Sequence, residues 1–208
     1  MNRFKLLLSS ALVAACVQTS WGAVYGFEVL ENNSPIDLAP QLYMDVTDNV
    51  GNVTIRIGNA GPAASTIASI FFDTPSNLIT LVPALSVSYS NAGISFSVAA
   101  GGNLPGGNNV GFSSDGVAHA ANPKPHNGVN PGEWVEFVFA TNGSVVDALS
   151  SNPAGMRVGL HVISLADGQS ETYVNTRPPT NVPDSASTLA LLGLGLGALG
   201  FVARRRKA

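Results

Sequence analysis

Two segments of the chain alternate apolar with polar or charged side chains, and this pattern limits the secondary structure that they can form. The segments are 52–58, which reads NVTIRIG, and 134–139, which reads WVEFVF. A repeat of two residues places alternate side chains on opposite faces of an extended strand. We therefore predict a strand at each segment, with one face in a core and the other facing solvent.

Other short runs rich in Val, Ile, Phe and Thr lie between clusters of Gly, Pro and Asn. They are Val24–Val29, Leu42–Thr47, Ser65–Phe72, Leu85–Tyr89, Ile94–Ala99, Met156–Ile163 and Glu171–Asn175. Many short strands at this spacing are typical of an antiparallel sandwich. We predict an all-β fold, an antiparallel β-sandwich of jelly-roll or immunoglobulin-like type, over residues 23–177, with one short helix at Val145–Ser150.

One long segment interrupts this spacing. Residues 100–133 are rich in Gly, Pro and Asn and poor in apolar side chains. A connection of this length is uncommon in a compact domain and is either functional or a surface loop. We predict a long surface loop there, with a short strand at Gly111–Ser113.

The C-terminal end has three consecutive parts. A short polar motif (Val182, Pro183, Asp184, Ser185) is followed by the uncharged run 186–203 and by a basic cluster (Arg204, Arg205, Arg206, Lys207). As a helix the run would be about 27 Å long, close to the roughly 30 Å hydrocarbon core of a bilayer. We predict a linker with a sorting motif at 178–185, a transmembrane helix at 186–203 and a cytoplasmic basic end at 204–208.

This three-part end resembles the PEP-CTERM class of bacterial sorting tags, in particular its VPDSG-type variant. Asp184 stands where the commonest form has Glu, and Ala186 where the variant usually has Gly. The resemblance implies that an exosortase, an integral membrane transpeptidase, recognises the motif and removes the tail. It further implies that the protein then reaches the cell surface or an extracellular polymer matrix. The alternative is an ordinary single-span tail anchor that stays on the chain.

The N-terminal end predicts export. Arg3 and Lys5 precede the mostly apolar run 6–15, and Ser20 and Gly22 are small residues at the positions that signal peptidase reads. We predict a signal helix over 1–22, cleaved between Gly22 and Ala23.

A second interpretation of the same region starts from residues 13–16, which read VAAC and resemble a lipobox. It would make Cys16 a lipidated N-terminus. Cys16 is the single cysteine of the chain, so the body has no disulfide.

The charge of the body excludes one class of partner. Residues 23–181 contain four Lys or Arg and twelve Asp or Glu, a net charge of −8. Nucleic acids and anionic lipids attract basic surfaces, so we expect the body to bind neither.

The residues typical of catalysis form no pattern that predicts an enzyme. There is no GxSxG segment, and two prolines separate His119 from His126, which opposes a rigid ligand pair. We predict that His119 lies in the solvated loop and that His161 is hydrogen-bonded within its sheet. Glu133 and Glu136 are predicted on opposite faces of one strand, so they cannot flank a substrate together.

One oxygen-rich cluster remains a candidate cation site. Asp45 and Asp48 lie near Asn49 and Asn52, a set that could hold Ca²⁺, although it lacks the residue order of a calcium loop. We expect no other metal and no cofactor.

Residues 157–175 carry a second resemblance, to a hairpin ending of many PEP-CTERM-bearing proteins of unassigned function. The hairpin would turn at Asp167 and Gly168, a favoured turn pair. The resemblance implies no activity.

Two functional interpretations follow. The first is a non-enzymatic structural or adhesive protein of the surface or matrix. The second is a carbohydrate-binding module for exopolysaccharide, with Trp134, Tyr89 or Tyr173 as stacking platforms.

Overall fold

The computed structural model describes residues 21–151 and 154–176, and in this part of the chain twelve strands form two antiparallel sheets. The sheets pack face to face as a sandwich, which confirms the predicted all-β antiparallel class. Two short helices accompany the strands, α1 (Lys124–Asn127) and α2 (Val145–Ser150), and α2 has the bounds that the sequence predicts.

We call the first sheet sheet A. Its strands are β1 (Trp21–Tyr25), β3 (Leu42–Asn49), β4 (Asn52–Asn59), β6 (Ile79–Thr80), β7 (Ser86–Tyr89) and β10 (Glu133–Thr141). Their order is β1-β3-β4-β10, and β6 and β7 both pair with the far edge of β10.

We call the second sheet sheet B. Its strands are β2 (Phe27–Glu31), β5 (Thr66–Asp73), β8 (Phe96–Ala100), β9 (Gly116–Ala120), β11 (Arg157–Ile163) and β12 (Glu171–Asn175). Their order is β2-β12-β11-β5-β9-β8.

The core lies between the sheets and is built from the inward side chains of alternating strands. In β4 and β10 every second residue is fully buried, as the sequence predicts. Phe72 of sheet B packs edge-to-face on Phe137 and Phe139 of sheet A, with ring centroids 6.1 and 5.5 Å apart. Such aromatic pairs contribute about 0.5–1.5 kcal/mol beyond the area they bury.

The single strand predicted at Val24–Val29 is wrong, because the chain changes sheets at Gly26. β1 ends at Tyr25 in sheet A, and β2 starts at Phe27 in sheet B. Ala23, Tyr25 and Phe27 are all buried in the shared core. The alternation of buried and exposed residues therefore continues from β1 into β2, so the sequence pattern does not reveal that the strand is interrupted at Gly26.

The long loop predicted at 100–133 is also wrong, because β9 lies inside it and occupies an interior position in sheet B between β5 and β8. Its sequence, GVAHA, is short and has Val117 as its single β-branched residue, so the signal that marks strands is weak. The short strand predicted at Gly111–Ser113 is not formed; Phe112 is instead a buried side chain. Neither β6 nor α1 was predicted from the sequence.

The chain leaves the sandwich beside the corner at Gly26, where the Thr176 N–H donates to the Gly26 carbonyl at 3.0 Å. The end of β12 lies next to the start of β11, since the Val158 N–H donates to Asn175 Oδ1. α2 lies at this same end, because the Met156 N–H donates to the Ala148 carbonyl. We call this end, which also carries the 49–52 turn, the far end; β3 and β10 start at the opposite end.

Within the two described stretches, no helix is long and apolar enough to cross a membrane. The transmembrane helix predicted at 186–203 and residues 1–20 of the signal helix predicted at 1–22 lie outside the described residues, whereas Trp21 and Gly22 belong to β1.

Candidate functional site

All of the predicted sorting and lipidation residues lie outside the described part of the chain: Val182–Ser185, Arg204–Lys207 and Cys16. The predicted signal cleavage site lies inside β1, where Gly22 pairs with Thr47 and Ala23 with Val46. Cleavage between them would leave three of the five β1 residues on the mature chain. The cleavage position stays a prediction.

The outer face of sheet A carries a row of charged side chains. Antiparallel register places Asp45 opposite Arg56, Arg56 opposite Glu136 and Glu136 opposite Ser88. Arg56 donates through Nε and Nη2 to Glu136 Oε2 at 3.0 and 2.8 Å, and the Ser88 hydroxyl donates to Glu136 Oε1 at 3.3 Å. Cross-strand pairing thus produces a connected polar network across three strands.

Beside this row, on the side away from the far end, lies an aromatic strip formed by Tyr43, Gly58 and Trp134. Tyr43 pairs with Gly58, and Gly58 pairs with Trp134. A Cβ on Gly58 would come within 2.2 Å of Tyr43 Cζ, so the phenol ring lies directly over this glycine. The absence of a side chain at Gly58 is what allows the ring to lie there.

The two features touch through Arg56, whose guanidinium lies 4.2 Å from the centroid of the Trp134 ring. This is a cation–π contact. Burial raises the pKa of Tyr43, with Asp45 adding to the shift and Arg56 opposing it. Burial also raises the pKa of the Asp45 carboxyl, and Arg56 again opposes the shift. The face therefore combines half-buried rings with closely spaced hydrogen-bonding groups.

Of the three predicted stacking residues, only Trp134 lies on this face. Tyr173 is 0% exposed in the core, and burial raises its pKa to about 12. The Tyr89 hydroxyl accepts from the Phe96 N–H at 3.0 Å, and its ring packs against the core. The stacking interpretation is therefore wrong for Tyr173 and Tyr89. Tyr43 was missed, because its approach to Gly58 depends on a register that the sequence does not display.

The outer face of sheet B is covered by residues 101–115, which we call the cover segment. Its Leu104 and Phe112 pack on Phe71, Val117 and Val174 in a small second core. A Cβ on Gly159 would come within 2.6 Å of Leu104, so this side chain lies over a glycine of β11.

Arg157 fastens the cover segment to the sheet. Its Nε donates to Asp73 Oδ2 at 2.9 Å, and its Nη1 and Nη2 donate to the carbonyls of Val110 and Gly111 at 2.9 and 2.5 Å. Its guanidinium also lies 5.1 Å from the Phe112 ring centroid. The Arg157 side chain is only 8% exposed.

Beyond the cover segment, the same face of sheet B brings together a serine and two histidines. Ser69 pairs with His161 on one side and His119 on the other, and its hydroxyl lies 2.8 Å from His119 Nδ1. The predicted loop position of His119 is thus wrong; it belongs to β9. His161 lies within β11 as predicted and pairs with Ser69 and Thr172, whereas its half-buried imidazole has no hydrogen bond to the described residues.

Burial lowers the pKa of both histidines, and the positive charge of Lys124 lowers them further. The Ser69 and His119 pair has the distance of a nucleophile and its base. Ser69, however, is 2% exposed within a strand, whereas a nucleophile needs access to substrate. No carboxylate hydrogen-bonds His119 in the described ranges, so the third member of a triad is not assembled there.

The candidate calcium cluster is not assembled. Asp45 lies on the outer face of sheet A, whereas Asp48 turns to the N-terminus of α2. Asp48 accepts hydrogen bonds from the Val145 and Val146 N–H groups, both at 3.1 Å, and from the Ser144 hydroxyl at 2.7 Å. Within residues 21–151 and 154–176, no three His, Cys, Asp or Glu side chains come together in a group that could hold a metal ion.

Asp48 also lines a cavity of about 600 Å³ at the far end. Its walls come from the 48–51 turn and from residues 141–147, which lead into α2. The carboxylate of Asp48 is already occupied by the helix, which explains its position without a ligand.

Comparison with known proteins identifies the C-terminal end. Residues 181–207 match the VPDSG-CTERM motif, a sorting signal similar to PEP-CTERM. A signal of this type implies a secreted, membrane-anchored precursor processed by an exosortase-type membrane enzyme. No curated protein and no solved structure matches the chain.

Proposed function

We propose that this chain is exported, loses its signal peptide to signal peptidase and is cut at residues 182–185 by an exosortase-like transpeptidase. The sandwich is then delivered to the cell surface or to an extracellular matrix. The observation that carries the proposal is the match of residues 181–207 to the sorting motif. The described sandwich ends at Thr176, so only a short linker separates it from that motif.

For the sandwich itself we propose a structural or adhesive role without enzymatic activity. Three carboxylates that could serve catalysis already have structural partners. Asp48 caps α2, Asp73 binds Arg157, and Glu136 binds Arg56. For the subtype of the sandwich, a jelly-roll or immunoglobulin-like arrangement stays a prediction.

Substitution in the sorting motif tests the first proposal. Asp184→Ala removes the acidic group of the motif, and Ala186→Gly is the matched control, since it restores the residue usual at that position. In the producing cells we expect Asp184→Ala to accumulate as a precursor that keeps its basic end in the membrane fraction. The control should be processed like the wild type, as judged by intact mass. Normal processing of Asp184→Ala would contradict the proposal.

A further inference from the structure

We propose that the aromatic strip of sheet A, together with the Arg56 and Glu136 pair, binds a neutral polysaccharide. The site is not apparent from the sequence, because Tyr43 and Trp134 are 91 positions apart and are brought together by the pairing of both strands with β4. This inference names the partner of the proposed adhesive role and rests on it.

The first argument is the shape of the strip. Tyr43 lies over Gly58, and Trp134 stands on the adjoining strand, about 4.8 Å further across the sheet. Both residues are half-buried, and the Arg56 guanidinium lies over one face of the Trp134 ring. A pyranose ring has an apolar C–H face that packs on aromatic rings, so two rings in a row suit consecutive sugar units of a chain.

The second argument is the spacing of polar groups beside the rings. Arg56 has five N–H donors, of which Nε–H and one on Nη2 bind Glu136. Donors on Nη1 and Nη2 therefore remain for hydroxyl acceptors. The Glu136 carboxylate, with Asp45 two strands away, accepts hydrogen bonds from hydroxyl donors. Sugar hydroxyls are both donors and acceptors, so they match a mixed set of this kind.

Charge decides between neutral and acidic polysaccharides. Asp45 and Glu136 give this face two carboxylates against the single cation Arg56, and the body as a whole carries −8. A uronate or sulfate group would be repelled by this field and would compete with Glu136 for Arg56. The face therefore fits a neutral chain.

The test is binding of the purified full-length chain to short oligosaccharides by titration calorimetry. The probes are four neutral hexaoses, built of glucose, mannose, galactose or xylose, and hexagalacturonic acid as the charged comparison. We expect at least one neutral hexaose to bind in the micromolar to millimolar range, with no binding of hexagalacturonic acid.

Three variants assign the binding to the strip. Trp134→Ala and Tyr43→Ala should each weaken it by about tenfold, the loss expected when a stacked ring is removed. Gly58→Ala keeps both rings in the chain but displaces the phenol of Tyr43, so it should weaken binding severalfold. Trp134→Phe retains a ring and should restore most of the affinity, which separates stacking from a folding defect.

Thr54→Ala is the matched control, since Thr54 faces solvent on the same sheet towards the far end. It should leave affinity unchanged. Three results would each overturn the proposal: no binding of any neutral hexaose, affinity unchanged in Trp134→Ala, or binding of hexagalacturonic acid alone. Each would leave the sorting proposal intact, because that proposal is judged by the mass of the processed chain.

Discussion

The outer faces of the two sheets differ in whether another part of the chain packs over them. On sheet B the cover segment crosses the face and closes a second core over Phe71, Val117 and Val174. On sheet A the outer side chains remain half-buried, and the cover segment has no counterpart among the described residues. Each face nevertheless has a glycine beneath a large side chain, Gly159 under Leu104 and Gly58 under Tyr43.

This difference separates side chains that stabilise the fold from side chains available for recognition. On sheet B, the buried Arg157 side chain donates hydrogen bonds to backbone carbonyls of the cover segment. On sheet A, the Arg56 side chain is 39% exposed and keeps free donors. Equivalent substitutions on the two faces should therefore differ in stability, and the following experiments measure that difference.

The largest difference is expected between the two arginines. Arg157→Ala leaves Asp73 and two carbonyls without their donor, and breaking a buried pair costs about 3–5 kcal/mol. Arg56→Ala breaks a half-exposed pair, which costs about 1 kcal/mol or less. The free energy of unfolding, from urea titration of both variants, gives the comparison. Equal losses would mean that the cover segment does not isolate sheet B from solvent.

The apolar part of the cover segment should matter almost as much. Phe112→Ala removes a buried ring from the second core, and such substitutions cost about 3 kcal/mol or more. A partly accessible cavity would follow, so limited proteolysis should cut the variant first within residues 101–115. A variant with wild-type stability and no new cleavage there would contradict the role given to Phe112.

Substitution of the two glycines, Gly159 and Gly58, should give a smaller difference in stability. In Gly159→Ala the new methyl meets Leu104 in a closed core, and overpacking of this kind costs about 1–3 kcal/mol. In Gly58→Ala the methyl meets the outer end of the Tyr43 ring, which can turn into solvent. We expect a change within about 0.5 kcal/mol, typical of surface positions. Thermal unfolding of both variants measures it, and a larger loss for Gly58→Ala would reverse the comparison.

The smallest expected effect is the dependence of the free energy of unfolding on pH. Burial and Lys124 lower the pKa of His161, whereas Glu31 raises it in part. The unfolded chain therefore takes up more protons than the folded chain as pH falls below about 6.5, and stability declines. Asp45 on sheet A has a raised pKa, so its contribution has the opposite sign and is lost as pH rises above its folded pKa.

The measurement is the free energy of unfolding of wild type and His161→Gln between pH 7.5 and 5.5. We expect the wild type to lose more stability over this range, with an uptake of at most about one proton for this histidine. Parallel curves would show that His161 does not carry the effect.

The sequence predicted the elements with strong local signals. β4 and β10 follow from strict alternation, and the bounds of β12 and α2 were predicted as the structure has them. It failed where local signals are weak or misleading. β9 is short and built of small residues, and the corner at Gly26 keeps the alternation of its neighbours.

The candidate site was predictable only in part. Trp134 was predicted as one of three stacking residues, and it lies on the outer face of sheet A. Tyr43 was not, since its partnership with Gly58 arises from the β3–β4 register and becomes visible only in three dimensions. The cover segment was missed for a similar reason, because Leu104 and Phe112 are isolated apolar residues in a sequence that otherwise reads as a loop.

The comparison of the two faces has functional meaning only if the sandwich is displayed outside the cell. The most direct test is the intact mass and the terminal peptides of the protein from its producing cells. We predict a mature N-terminus at Ala23 and a C-terminus within residues 182–185, with the following segment removed. A chain that still ends in Arg204–Lys207 would contradict exosortase processing and would make this protein a single-span anchored protein.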